Sequence, residues 1–207
     1  KFIAAVDCTG HGVPGAFMSM LGNSFLNDIV RDKGVSKPSQ ILEQLREKII
    51  EALKQSDGSS SKDGMDISLL AIDSKNNTVE FAGANNQFWI FRKDGKLEEI
   101  KGDKQPIGIY SGAKKSFANH SVKVSKGDSL YIFTDGYCDQ FGGYPSLSSG
   151  EKKSGGKKFM PKRFKEALAS VQGKTMAEQE SFLLDLHLKW KGTLEQVDDV
   201  CVIGIRI

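Results

Sequence analysis

Three short acidic motifs carry the residues of this sequence whose types could do chemistry. Each lies where a predicted strand ends or begins: Val6-Asp7-Cys8-Thr9-Gly10-His11-Gly12, Phe133-Thr134-Asp135-Gly136 and Val197-Asp198-Asp199-Val200. Strand ends hold carboxylates rigidly, and a few aspartates can bind two hard cations such as Mg²⁺ or Mn²⁺. Such a pair lowers the pKa of a bridging water, so the motifs predict hydrolysis at phosphorus without a protein nucleophile.

Each motif also has a purely structural interpretation. An aspartate followed by glycine after a strand, as in Asp135-Gly136, is commonly a turn. The adjacent carboxylates of Asp198 and Asp199 repel each other and need a cation or hydrogen-bond donors nearby. His11 is either a general acid near a leaving group or a turn residue that contacts solvent. The residues by themselves leave these alternatives open.

The three cysteines, Cys8, Cys138 and Cys201, are an odd number without paired spacing, which suits a reducing compartment. Each lies within a few residues of an acidic motif. A thiolate metal site is therefore one alternative, although no CxxC or HxxxH spacing accompanies it. A thiol hydrolase that uses Cys8 and His11 is another.

Composition indicates one globular domain that spans residues 1–207. The chain has 39% hydrophobic and 27% charged residues, enough for a hydrophobic core. Its net charge of +3, from 29 basic and 26 acidic residues, does not call for a nucleic-acid partner. Apolar runs stay short of the roughly 18 residues of a membrane span. We expect a cytoplasmic domain, either alone or as the cytosolic part of a membrane-anchored sensor.

Hydrophobic periodicity predicts helices on both sides of a run of strands. The helices are a first one from Gly12 towards Gly34, a second from Pro38 to Leu53, a third around Phe164 to Val171, and a fourth that a capping box of Thr175 and Glu178 begins. The strands are Lys1–Val6, Asp66–Asp73, Thr78–Ala82, Phe88–Arg92, Leu97–Ile100, His120–Val124, Ser129–Thr134 and Val200–Ile207.

The connections predict how these elements are arranged. Asn76-Asn77 and Asp94-Gly95 suit tight hairpins, so the sheet should be antiparallel and the fold α+β. The stretch Gly142–Gly156 is rich in Gly, Ser and Lys and predicts a mobile surface loop beside the site. Within it, Lys152 and Lys153 are candidates for docking an acidic phosphopeptide.

Taken together, the motifs resemble the SpoIIE/RsbU-type serine/threonine phosphatases of the PP2C superfamily. The segments that carry the resemblance occur in the family's order: Asp7–Ala16, Phe81–Asn86, Gln105–Gly108, Gly127–Gly136 and Gln196–Val200. The resemblance implies a PP2C-like antiparallel β-sandwich flanked by antiparallel helix pairs, in α-β-β-α layers. It also implies two Mn²⁺ or Mg²⁺ ions between the sheets.

The same resemblance assigns roles to individual residues. Asp7 matches a bridging carboxylate, and the main-chain carbonyl of Cys8 matches a further ligand. Asp135 and Asp198 match carboxylates that reach one ion. His11, Asp66 and Asp199 are peripheral candidates, and Asp66 has a hairpin-end role as its alternative.

The sequence also departs from the family pattern. A Gly-Asp-x-Tyr-Asp-like motif, which supplies another aspartate ligand on the preceding strand, has no counterpart here. We therefore expect that residues 1–207 lack the first strand of the domain, leave Lys1–Val6 with an unpaired edge, and bind Mn²⁺ weakly with slow or no turnover. The run Asp139-Gln140-Phe141-Gly142-Gly143 resembles a sub-branch of the family and could be structural.

The implied function is hydrolysis of phosphoserine or phosphothreonine in a regulatory protein. By resemblance, the substrate is a STAS-type anti-sigma-factor antagonist, and the domain is the output of a bacterial signalling protein with an upstream sensor or receiver domain. A homodimer is a further expectation. The alternative is a pseudophosphatase that binds a partner without turnover, but the joint presence of Asp7, Asp135 and Asp198 favours the enzyme.

Overall fold

The computed structural model describes residues 1–32, 34–56, 63–110, 112, 115–143 and 156–207. Most of the predicted loop Gly142–Gly156, including Lys152 and Lys153, lies outside the described residues. The prediction that this loop is mobile and docks a phosphopeptide therefore stays a prediction. Among the described residues, no helix is long and apolar enough to cross a membrane.

Five α-helices and ten strands form the described part of the chain. The helices are α1 (Gly12–Asn27), α2 (Pro38–Ala52), α3 (Gly136–Asp139), α4 (Met160–Ser170) and α5 (Met176–Lys191), and a π-helical turn, Asp28–Asp32, continues α1. The strands are β1 (Phe2–Cys8), β2 (Met65–Asp73), β3 (Thr78–Ala84), β4 (Phe88–Phe91), β5 (Leu97–Ile100), β6 (His120–Lys123), β7 (Ser129–Phe133), β8 (Phe141–Gly142), β9 (Lys157–Lys158) and β10 (Val202–Arg206). All the predicted helices and strands are present, whereas α3, β8 and β9 were not predicted.

Two four-stranded antiparallel sheets form the centre of the fold. Their strand orders are β1-β2-β3-β6 and β10-β7-β4-β5, and β8 and β9 pair separately as a short ribbon. The β2–β3 and β4–β5 hairpins turn at the predicted sites, where Asn77 and Gly95 have φ of 50° and 87°. In the described part of the chain β1 pairs only with β2, so it lies at a sheet edge, as predicted for Lys1–Val6.

Alternating side chains divide the core into three layers. In β4, Trp89 and Phe91 pack against α4 and α5, whereas Phe88 and Ile90 pack against the facing sheet. A third cluster packs α1 and α2 onto the outer face of the first sheet. Because side chains alternate across a strand, each sheet buries both of its faces. The layers are therefore α-β-β-α, as predicted.

A buried polar network fixes the segment that contains the Gln105–Gly108 motif onto α2. Arg46, which is 2% exposed, donates to the Gln105 side-chain oxygen at 3.1 Å and to the Lys115 carbonyl at 3.2 Å. The Arg46 guanidinium also pairs with Glu43 and stacks on the Phe117 ring at 4.7 Å. Since Gln105 helps to pair the buried Arg46 guanidinium, it has a structural role here.

Candidate metal centre

The first two strands bring two aspartates onto one face of their sheet. Ala5 of β1 packs in the cluster between the sheets, so Asp7, two residues later, faces the same side. Asp7 is directly opposite Asp66 in the antiparallel register of β1 and β2. At this end of the strands, Thr9 holds the β1–α1 loop to Gly64, whose amide donates to the threonine hydroxyl at 2.9 Å. Both carboxylates are therefore fixed at the end of the first sheet.

The other two motifs meet at the end of the second sheet. Asp135 follows β7 and Asp198 precedes β10, the strand that pairs with β7. The buried Thr134 hydroxyl donates to the Asp199 carbonyl at 3.2 Å and accepts from the Cys201 amide at 3.0 Å. This side chain ties the segment before β10 to the end of β7, so the two aspartates are close although they are far apart in sequence.

Asp7, Asp135 and Asp198 converge as the sequence predicted. Each offers a carboxylate oxygen, and these oxygens all lie within 4.8 Å of one another. Asp7 is half-buried, whereas Asp135 and Asp198 are exposed. The three carboxylates line a cavity of about 580 Å³, together with Cys8, Thr9, Gly10, His11, Asp66, Gln196, Val197 and Asp199.

Crowding of the carboxylates changes their acidity. Burial, and then the charges of Asp198, Asp135 and Asp66, raise the pKa of Asp7 to about 7. Burial and the charge of Asp198 also raise the pKa of Asp135, and Asp7 and Asp135 are hydrogen-bonded to each other. Like charges in a partly buried site disfavour ionisation of the carboxyl groups. A divalent cation among them would reverse this effect.

The donor set fits a hard divalent cation. Three carboxylates on elements of both sheets offer the oxygen ligands that Mg²⁺ and Mn²⁺ prefer, and the open cavity leaves room for the waters that these ions retain. Among the described residues, the side chains close enough to share an ion are those of Asp7, Asp135 and Asp198, and this group contains no cysteine. The geometry thus suits oxygen ligation, and the assigned ligand roles remain predictions.

Cys8 fits neither a thiolate ligand nor a nucleophile. Its side chain packs against the cluster under α1 and α2, and burial raises the pKa of its thiol, which is hydrogen-bonded to Ser19. A nucleophilic cysteine requires the opposite shift of pKa. Burial also raises the pKa of Cys138, to about 12, and that of Cys201. The predicted ligand at Cys8 is its main-chain carbonyl, and this role remains a prediction.

The peripheral candidates all line the cavity but lie outside the group of three carboxylates. His11 is exposed and is the residue before α1. The Asp66 carboxylate accepts from the Asn85 side-chain amide at 2.8 Å, and Asn85 has φ of 56°. The Asp199 amide donates to the Asp198 carboxylate at 2.8 Å. Asp199 therefore orients Asp198 through its main chain.

Sequence reasoning missed how closely the Asp135 loop packs on the segment before β10. A Cβ atom at Gly136 would lie 2.2 Å from the Asp199 carbonyl oxygen, so only glycine fits at this point. The Asp-Gly pair was visible in the sequence, but its two interpretations, a turn or a ligand motif, could not be separated. The structure shows that the glycine allows close packing beside the aspartate.

Sequence reasoning also missed the hydrogen bond from Asn85 to Asp66. The small residues of the Phe81–Asn86 segment allow close backbone approach, and at Gly83 a Cβ atom would lie 2.4 Å from the Asn86 carbonyl oxygen. The contact with Asp66 joins residues 19 positions apart. Two adjacent amide side chains at a strand end were the signal that could have indicated it.

Comparisons with known proteins agree with this geometry. The family model described as "Stage II sporulation protein E (SpoIIE)" matches residues 2–207. No curated protein matches the chain. The solved SiaA-PP2C domain of Pseudomonas aeruginosa is 27% identical, with a TM-score of 0.82 over 100% of this chain and 75% of that one.

More distant solved structures share the fold. The PP2C phosphatase domain of SpoIIE from Bacillus subtilis, solved with a fragment of its regulatory domain, is 17% identical with a TM-score of 0.70. The alignment covers 99% of this chain and 52% of that one, so the chain spans about half the length of that structure. The catalytic domain of the serine/threonine phosphatase PstP, in complex with two manganese ions, is 17% identical with a TM-score of 0.64, over 98% and 86% of the two chains.

Proposed function

Because the chain belongs to the SpoIIE family of PP2C-type phosphatase domains, we propose that it hydrolyses phosphoserine or phosphothreonine in a regulatory protein. The proposal rests above all on the convergence of Asp7, Asp135 and Asp198 from three separate motifs into one cavity. Carboxylates at the ends of both sheets suit two divalent ions better than they suit a structural role, because their mutual repulsion destabilises the folded state without a cation.

In this proposal Asp7, Asp135 and Asp198 hold Mn²⁺ or Mg²⁺, with the main-chain carbonyl of Cys8 as a further ligand. When bound, such ions supply an acidic water and positive charge for the phosphoryl oxygens. Thr134 and Asp199 keep the loops of Asp135 and Asp198 in place. His11, exposed at the cavity, can donate a proton to the leaving alkoxide.

The identity of the partners is a further proposal that the family resemblance supports. We propose a STAS-type anti-sigma-factor antagonist as the phosphoprotein substrate. We also propose that a sensor or receiver domain regulates the phosphatase, since the solved SpoIIE structure includes a fragment of a regulatory domain. The pseudophosphatase alternative predicts the same fold and binding of a partner, but no turnover.

A Mn²⁺ titration with p-nitrophenyl phosphate tests the proposed activity. We expect slow, Mn²⁺-dependent release of p-nitrophenol, because one aspartate ligand of the family has no counterpart in this sequence. Asp135→Asn should lower the rate about 100-fold or more, because the ligand contributes to positioning as well as to charge. A rate that does not depend on Mn²⁺, or that survives Asp135→Asn, would refute the proposed mechanism. Binding of a phosphoprotein without turnover would favour the pseudophosphatase.

A further inference from the structure

The short ribbon of β8 and β9 lies beside the acidic cavity and has no role in the function proposed above. It pairs Phe141 with Lys158 and Gly142 with Lys157. The ribbon directly follows α3, whose Asp139 amide donates to the Asp135 carbonyl at 2.9 Å. It therefore begins two residues after α3, the short helix whose N-cap is Asp135, a candidate metal ligand.

Contacts with buried groups fix the ribbon in place. The Gln140 side chain is 0% exposed and its amide donates to the Glu195 carbonyl at 2.9 Å. The Gln140 carbonyl accepts from the Trp190 indole at 3.0 Å and from the Phe159 amide at 3.0 Å. At Gly142 a Cβ atom would lie 1.9 Å from the Trp190 carbonyl oxygen. The ribbon is thus attached to the end of α5 and to the chain that leads into β10.

One face of the ribbon presents a cation and an aromatic ring to solvent. The Lys158 ammonium donates to the Asp139 carboxylate at 2.6 Å and lies 5.9 Å from the centre of the Phe141 ring. The side chain of Lys158 is 41% exposed and Phe141 is 38% exposed. Both residues are held in position while they remain accessible, as expected of a contact surface rather than a core.

The electrostatics of this region favour an acidic partner. The hydrogen bond with Asp139 raises the pKa of Lys158, and the charges of Asp139 and Asp135 add to this, which places the ammonium within electrostatic reach of the cavity. Lys162 and Arg163 follow in the first turn of α4, and the Arg163 guanidinium lies 4.9 Å from the Trp190 ring. Lys158, Lys162 and Arg163 thus provide basic side chains on and next to the ribbon, and basic side chains suit an acidic partner.

From these contacts we propose that the face of the ribbon with Phe141 and Lys158 docks the phosphorylated segment of the protein substrate, and that Lys158 pairs with acidic residues flanking the phosphorylated residue. This inference rests on the proposed function. It concerns only how the protein segment is held and adds no group to the hydrolytic site. If the Asp139–Lys158 ion pair had only a structural role, it would add little to the stability of the fold, since exposed ion pairs are weak.

Binding of a labelled peptide tests the docking surface without requiring turnover. The probe is a fluorescein-labelled phosphothreonine peptide with Asp and Glu on both sides, titrated with the Asp135→Asn protein in Mn²⁺ so that it stays uncleaved. Fluorescence anisotropy gives Kd. Adding Lys158→Gln should raise Kd about 3- to 5-fold, the upper part of the range for one partly exposed charge pair. Lys158→Arg should keep Kd within about twofold.

A matched control is the neighbouring Lys157, which is exposed and projects from the opposite face of the ribbon. Lys157→Gln removes the same charge and should leave Kd within about twofold. A second peptide with alanine flanks should lose its sensitivity to Lys158→Gln. Equal weakening by both lysine variants, or no effect of Lys158→Gln on the acidic peptide, would overturn the docking surface. Absence of Mn²⁺-dependent hydrolysis by the unmodified protein would count only against the proposed function.

Discussion

At the scale of single residues, Asp7 in the acidic cavity can hold either a proton or a cation. Asp7 must be ionised to hold a cation, yet burial and the neighbouring carboxylates raise its pKa to about 7. The folded protein therefore holds a proton on Asp7 at a pH where the unfolded chain does not. Metal and proton should compete for this side chain.

This competition predicts a pH dependence of stability for the metal-free protein. A carboxyl group whose pKa is raised on folding stabilises the fold below its unfolded pKa, near 4, and this contribution is lost as the pH rises through about 7. In EDTA, the free energy of unfolding of the unmodified protein should therefore fall as the pH rises from about 4.5 to about 7.5. The free energy of unfolding of the Asp7→Asn protein should fall less over the same range. Urea denaturation of both proteins across that range measures the difference. Identical slopes would show that Asp7 has no raised pKa.

Thr134 should couple stability to the metal centre. It is 2% exposed, and its hydroxyl bridges the Asp199 carbonyl and the Cys201 amide. Thr134→Val keeps the shape but leaves two polar groups without a partner, so we expect a loss of about 1–3 kcal/mol in stability. The Mn²⁺ affinity of the Thr134→Val protein should also fall, because its Asp198 segment is no longer tied to β7.

The control for this prediction is Thr134→Ser, which retains the hydroxyl. It should keep both stability and Mn²⁺ affinity closer to those of the unmodified protein. Urea denaturation and a Mn²⁺ titration of the three proteins provide the comparison. A Thr134→Val protein that binds Mn²⁺ as tightly as the unmodified one would show that the hydroxyl does not position the site.

At the scale of elements, the helix pair supports the sheet that carries Asp7. The buried stripe of α2 contains Ile41, Leu45 and Ile49, each 0% exposed, and it packs with Ile67 and Leu69 of β2. These α2 residues recur every four positions, the helical spacing from which the sequence predicted the helix. The periodicity that defines the helix also determines the side that it buries.

Truncation of this stripe should destabilise the fold. Leu45→Ala removes a fully buried side chain, so a loss of about 2–5 kcal/mol is expected from lost burial and the resulting cavity. Leu184→Ala makes the same change on α5, where the side chain is 57% exposed, and should change stability by about 0.5 kcal/mol or less. Urea denaturation compares the two. Similar losses would contradict the assignment of α2 to the core.

At the scale of the whole molecule, the layered architecture could be predicted because hydrophobic residues recur at clear helical or strand spacings along the sequence. The convergence of Asp7, Asp135 and Asp198 was predicted too, but from the family resemblance of the three motifs taken together, because their positions at strand ends left other roles open. The β8–β9 ribbon could not be predicted, because two-residue strands show no alternation and their pairing depends on contacts with Trp190. Likewise, the Arg46–Gln105 bond joins residues 59 positions apart and has no local signal.

We propose that Asp7, Asp135 and Asp198 hold a divalent cation, and calorimetric titration with Mn²⁺ measures this binding. We expect the unmodified protein to bind Mn²⁺, and Asp135→Asn to raise Kd by at least about tenfold. The control, Asp185→Asn, removes an equal charge from an exposed position on α5 and should leave Kd within about twofold. Equal affinity of the unmodified and Asp135→Asn proteins, or no binding by either, would contradict the assigned metal centre.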